Sequence, residues 1–239
     1  MHPSPFDPSI IFPMVPMPEI SQIIRSSRKS FSLEVLPDGR LIVRAPQFAT
    51  NADIQALVVE KACWIARAQA RVAVRAAENP PKTFSPGEKF WYLGEQYPLK
   101  ITSRTYPVLE LDGAFILAKK FQSRAKEVFI NWYREETRQI VNHLIAAYQI
   151  QYGFKINGVR ITSARTRWGS CTTKGNLNFT YRLSMAPYSV VEYVVLHELV
   201  HLKVPNHSQR FWDEVARINP GYQKSRTWLK EHGHLLTLD

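Results

Sequence analysis

Residues 186–205 read APYSVVEYVVLHELVHLKVP, and this stretch constrains the fold more than any other. Its spacing predicts a helix. Ser189 followed three residues later by Glu192 gives a capping-box start, and Pro205 marks the stop. Val194, Val195, Leu199 and Val200 would carry most of this helix into a core. On the same helix His197 and His201 lie one turn plus about 40° apart, so both imidazoles project from one side. Glu198 sits about 100° round from His197 and three residues from His201.

H-E-x-x-H on a helix has a chemical logic. Two neutral imidazoles suit a zinc ion, a third protein ligand completes the set, and an open position takes water. Glu198 is then within reach of that water and is the candidate general base. The third ligand has several candidates. His207 follows His201 by six residues, the offset used by metzincin proteases, although their glycine three residues after the second histidine is Val204 here. Pro205-Asn206 would then supply the bend, with Asn206 capping a helix over HSQRFWDEVARI and His207 in its first turn. His232, His234 and Glu192 compete for the role, the last of them better explained as a cap. His143 falls within a different helix and reads as a surface residue.

The rest of the chain bounds what surrounds this motif. It has 239 residues, 45% of them hydrophobic and 21% charged, the composition of a folded protein. No apolar run approaches the roughly 20 residues of a membrane-spanning helix. The first twenty residues contain no Lys or Arg and their apolar runs are broken by proline, which is unlike a secretory signal. Cys63 and Cys171 stand far apart and form no disulfide framework. These features together give a cytoplasmic expectation. The net charge of +11 permits an anionic partner, nucleic acid or nucleotide, through a basic surface. Arg160, Arg165, Arg167, Lys174 and Arg182 occur in a stretch free of Asp and Glu.

Three segments follow from the pattern. Residues 1–22 form a Pro-rich leader, expected to be extended and disordered. Residues 23–119 form a small β-rich module: a hairpin in SFSLEVLPDGRLIVRAP around Pro-Asp-Gly, one helix in NADIQALVVEKACWIARAQARVAVRAAENPP stopped by Pro80-Pro81, and strands in KFWYLGEQYPLKI and YPVLELDGAFILAK. Residues 120–239 begin with a long amphipathic helix. A hairpin is expected next, from the run of Val159 and Ile161 across TTKG to NLNFTYRLS. The fold class is α+β.

RTRWGSC (165–171), NLNFTYRLSMAP (176–187), YVVLHELVHLKVPNHSQRFW (193–212) and the later YQKSRTWL resemble the YgjP-like metallopeptidases, relatives of the SprT-like and minigluzincin proteins. RSSRKSFSLEVLPDGRLIVRAP and WYLGEQYPL are similar to the same family's N-terminal module. The resemblance implies a compact α+β zincin-type core, zinc held by His197, His201 and His207, Glu198 as base, and a peptide or protein substrate. Kinship with SprT-like proteins extends this to DNA-bound protein. A phosphoanhydride hydrolase acting on nucleotides is the competing reading, with Arg165, Arg167 and Lys174 as phosphate partners. Cys171 is expected to be structural, Arg165 and Trp168 to pack the sheet on the metal-bearing helix, and an extended substrate to lie along NLNFTYR.

Overall fold

The computed structural model describes residues 18–239; the expected disorder of the leader falls mainly outside them. The chain divides into two compact units, Met1–Pro80 and Pro81–Asp239. In the first, β1 (Ile20–Ser26), β2 (Ser32–Val35) and β3 (Leu41–Pro46) form a sheet in the order β1-β3-β2. The expected Pro-Asp-Gly hairpin joins β2 antiparallel to β3, with Gly39 at φ 84° in the turn, a conformation open to glycine at little steric cost. β1 pairs in parallel with β3, so the sheet begins at Ile20, inside the segment read as leader. Two helices follow, α1 (Asn51–Glu60) and α2 (Ala62–Glu78), where one was expected. The interruption is a kink at Lys61, whose N–H still reaches the Leu57 carbonyl at 3.0 Å. A capping box starts α1, with Thr50 and Asp53 exchanging hydrogen bonds. Leu41, Val43, Ala45, Ile54, Val58 and Ile65 fill this unit's core.

The second unit opens with β4 (Lys89–Tyr92), β5 (Glu95–Thr102), β6 (Leu109–Leu111) and β7 (Phe115–Ala118), in the order β4-β5-β7-β6. These strands share a core with the long helix α3 (Ala125–Tyr152) rather than with the N-terminal sheet. Phe90, Phe115 and Phe129 meet at centroid distances of 4.4–6.1 Å. The compact units part at Pro80-Pro81. The second half of α3 belongs to another core: Val141, Leu144, Ile145 and Tyr148 pack with the helix that carries His197.

β8 (Gly158–Thr162), β9 (Gly169–Cys171) and β10 (Asn176–Thr180) form a third sheet, ordered β8-β10-β9. The hairpin across TTKG is real but has a different partner. β10 folds back antiparallel on β9, while the Val159–Ile161 run joins its other side in parallel. β10 is thus the central strand, with both edges occupied, and cannot take an extended substrate on an edge. Its strand ends at Thr180, and Tyr181–Met185 turn as a 3₁₀ helix into α4 (Tyr188–Val200). After α4 come α5 (Gln209–Ile218) and α6 (Tyr222–His232).

Candidate metal centre

α4 is apolar nearly all round. Val190, Val191, Val194, Val195, Leu196, Leu199 and Val200 are buried, which accounts for a helix held by tertiary packing on every side. The predicted capping box is not formed: the helix starts at Tyr188, its N-cap is Pro187, and no side chain caps it. Glu192 instead accepts a hydrogen bond from the Tyr148 hydroxyl at 3.1 Å. His201 closes the helix, its N–H bonded to the His197 carbonyl at 3.3 Å. The chain then tightens, with the N–H groups of Lys203 and Val204 both reaching the Val200 carbonyl at 2.9 Å. Pro205 ends the turn. Asn206 Oδ1 accepts from the Ser208 N–H at 3.3 Å, but the α5 N-cap is Ser208 without a side-chain cap. His207 therefore precedes α5 and does not lie in its first turn.

This return brings His207 back over the helix. Its Nε2 lies 3.0 Å from His197 Nε2 and 3.2 Å from His201 Nε2. Among the described residues these three form the one group of His, Cys, Asp and Glu side chains close enough to share a metal ion. Three nitrogens bound to a tetrahedral ion at 2.0–2.1 Å would stand about 3.4 Å apart, so the donor set fits. His201 Nδ1–H donates to the Val204 carbonyl at 3.1 Å, which leaves Nε2 as the lone-pair nitrogen. Burial pushes His197 down to about 3, helped by the neighbouring His201, His207 and Arg226. Burial lowers His201 as well, against its bond to Val204. Both are neutral near pH 7, the state a metal requires.

Aromatic rings fix the three imidazoles. Phe211 is fully buried, and its centroid lies 4.8, 4.5 and 4.9 Å from those of His197, His201 and His207. Trp212 stacks on His207 at 5.6 Å and 20°. No role follows for either residue from sequence spacing. Their placement at the start of α5, four and five residues after His207, was the available signal.

Glu198 is 94% removed from water, with 6% exposure. Burial raises its carboxyl to about 7, with Arg167 opposing. Gly169 of β9 makes room for it. A Cβ at Gly169 would stand 2.5 Å from Glu198 Oε1 and 2.7 Å from its Cγ, closer than any side chain can sit. A cleft of about 400 Å³ is lined by residues 169–173 on one side and by His197, Glu198, His201 and His207 on the other. Cys171 lines this cleft. Burial and the Glu198 charge push its thiol up, which disfavours the thiolate and hence a nucleophilic role.

The other residues considered for the site lie apart from it. His232 stacks on Trp228 at 4.8 Å, its Nδ1–H donating to the Trp228 carbonyl at 3.1 Å. His234 falls in the 3₁₀ turn Gly233–Leu235, outside the cluster, and His143 is exposed on α3. Arg165 does not pack the sheet on α4: it is exposed and pairs with Asp239 at 2.9 Å. Trp168 packs against both cores of this unit, lies under the Arg182 guanidinium at 4.8 Å, and crowds Gly233, where a Cβ would be 2.9 Å from its ring.

An α+β fold that gathers three histidine nitrogens beside a buried carboxyl defines a protein able to hold a metal at an open cleft. The family model "YgjP-like, metallopeptidase domain" matches residues 29–232, and the chain belongs to this family of metal-dependent peptidases. Comparison with curated proteins gives no match. Among solved structures it is similar to the metallopeptidase zymogen of Pyrococcus abyssi abylysin, with 26% identity, a TM-score of 0.34, and coverage of 38% of this chain and 93% of that one. The metallopeptidase zymogen of Methanocaldococcus jannaschii jannalysin gives 19% identity and a TM-score of 0.33, over 40% of this chain and 94% of that one.

Proposed function

We propose that the protein is a zinc-dependent peptidase with His197, His201 and His207 as ligands and Glu198 as general base. The observation that carries this reading is the convergence of the three Nε2 atoms beside a buried carboxyl raised to about 7. Zinc, when bound, supplies Lewis acidity to a water and to a peptide carbonyl. Glu198 takes the proton of the attacking water on a carboxylate oxygen and passes it to the departing amine nitrogen. Burial raises the proton affinity of this carboxyl, which suits it to accept the water's proton, and the charge of a bound zinc would draw that affinity back down and so favour the proton's release. Gly169 keeps the carboxyl in place by leaving its space empty.

The substrate is an extended peptide or protein segment, and the strand free to receive it is β9. β9 is the edge of its sheet and borders the cleft, so a peptide backbone can pair with its open side. The nucleotide reading draws less support. Of its three proposed phosphate partners, Arg165 is engaged by Asp239 and Lys174 does not line the metal cleft, while Arg167 lines the adjoining recess and not the cleft itself. No helix among the described residues is long and apolar enough to cross a membrane.

The test is incubation of zinc-loaded protein with an unbiased peptide library and a nucleotide panel. Zinc-dependent peptide cleavage is expected. Release of phosphate or pyrophosphate with every peptide intact contradicts the reading. Peptide cleavage that is slow alone, accelerated by DNA and steeply suppressed by salt would point to the variant in which DNA-bound protein is the substrate.

A further inference from the structure

The basic stretch before α4 splits into two pairs of arginines with different employment. Arg165 is held by Asp239, and Arg182 donates to the carbonyls of Ala164, Arg165 and Leu236 while covering Trp168. Arg160 and Arg167 have no ion-pair partner within 4 Å among the described residues. Both line a recess of about 210 Å³ on the outer face of the β8-β10-β9 sheet, with the side chains of Ser170 and Asn178 between them. No acidic side chain lines it. Asn178 Nδ2 donates to Ser170 Oγ at 3.2 Å, which leaves the Ser170 hydroxyl proton free to be given elsewhere. Two guanidinium groups and a hydroxyl donor in a recess that no carboxylate lines describe an anion site.

Its position says which anion. Gly169 and Ser170 line both this recess and the metal cleft. Side chains alternate across β9: Gly169 and Cys171 face the cleft, and Ser170 turns toward the sheet's outer face. A peptide paired with the open edge of β9 alternates in the same way. When one of its residues lies over the metal, a neighbour is carried to the outer face, where Arg160 and Arg167 wait. We propose that this recess is a specificity subsite for an acidic side chain of the substrate, adjacent to the bond that is cut. The inference rests on the peptidase reading and names the substrate class within it.

The experiment uses zinc-loaded protein and peptides that differ only in carrying Glu, Gln or Lys at each position flanking the scissile bond. At one flanking position Glu should exceed Lys in kcat/KM by about tenfold or more, the scale of a charge-assisted hydrogen bond. Arg160→Glu together with Arg167→Glu should reverse that ratio, and Arg160→Gln alone should bring it toward one. Lys224→Glu together with Lys230→Glu, both exposed on α6, changes net charge equally and should leave the ratio unaltered. Because each ratio is internal to one enzyme, loss of overall rate does not disturb it. Cleavage with no charge preference in the unmodified protein overturns the inference and leaves the peptidase reading standing. Zinc binding with no cleavage of any peptide overturns both. A preference that survives the double reversal, or a reversal that abolishes only oligonucleotide binding, also overturns it.

Discussion

The two walls of the metal cleft are built in opposite ways. Its floor is the end of α4 and the turn into α5, where the three histidines are wedged by Phe211 and Trp212 against a core of valines and leucines. Its rim is the β9–β10 hairpin, where β9 contributes three residues and an unpaired edge, and Thr172, Thr173 and Lys174 are exposed. The floor holds groups that must not move when a metal arrives, so it is dense and apolar. The rim must accept a chain of varied sequence, so it offers backbone and polar side chains. The two meet where Gly169 lies against Glu198.

Substitutions should separate floor from rim. The largest effect is expected for His201→Ala, which removes a ligand and its bond to Val204: zinc should be lost on dialysis against a mild chelator, and peptide turnover with it. Phe211→Ala strikes the floor without touching the metal. Emptying this fully buried site should cost about 3–5 kcal/mol in denaturant unfolding, and zinc should dissociate faster because three imidazoles lose a shared wall. Gly169→Ala acts from the rim. Its Cβ must displace the Glu198 carboxyl, so kcat should fall by about ten- to a hundredfold, up to the lower end of the range attributed to a positioned base, while zinc content stays unchanged. Loss of zinc in Gly169→Ala would show that the rim also builds the metal site.

The smallest effect is electrostatic and lies away from the cleft. Burial alone would raise the Asp239 carboxyl, but the Lys126 hydrogen bond and the charges of Lys126, Arg165 and Arg182 hold it below the usual value. A carboxyl lowered by folding stabilises the protein above its unfolded pKa of about 3.9 and loses that contribution as pH falls through the folded value. Asp239→Asn should therefore lower Tm at pH 7 and leave it unaltered in acid, once the Asp239 carboxyl of the unmodified protein is protonated. The pair is partly exposed, so the difference should not exceed about 1 kcal/mol.

The floor was far more legible than the rim. Helical spacing placed His197, Glu198 and His201 together, and the six-residue offset brought in His207, because both are consequences of local geometry that the chain states directly. The rim depends on pairing between segments. Gly169–Cys171 is too short, and too poor in β-branched residues, to announce itself as a strand. The more strand-like Val159–Ile161 run therefore looked like the natural hairpin partner of β10, and the free edge was assigned to the wrong strand. Glu192 shows the same limit within a helix. Its spacing from Ser189 fits a cap, yet Tyr148, 44 residues earlier, engages it first.

Metal content and peptide turnover of Glu198→Gln, measured on the same zinc-loaded preparation, test the central claim most directly. The amide can occupy the space beside Gly169 and hold water, but it cannot take water's proton. The expected result is one zinc per chain with turnover reduced by about 10²–10⁴-fold. One zinc per chain with undiminished turnover would contradict the assignment of Glu198 as the base.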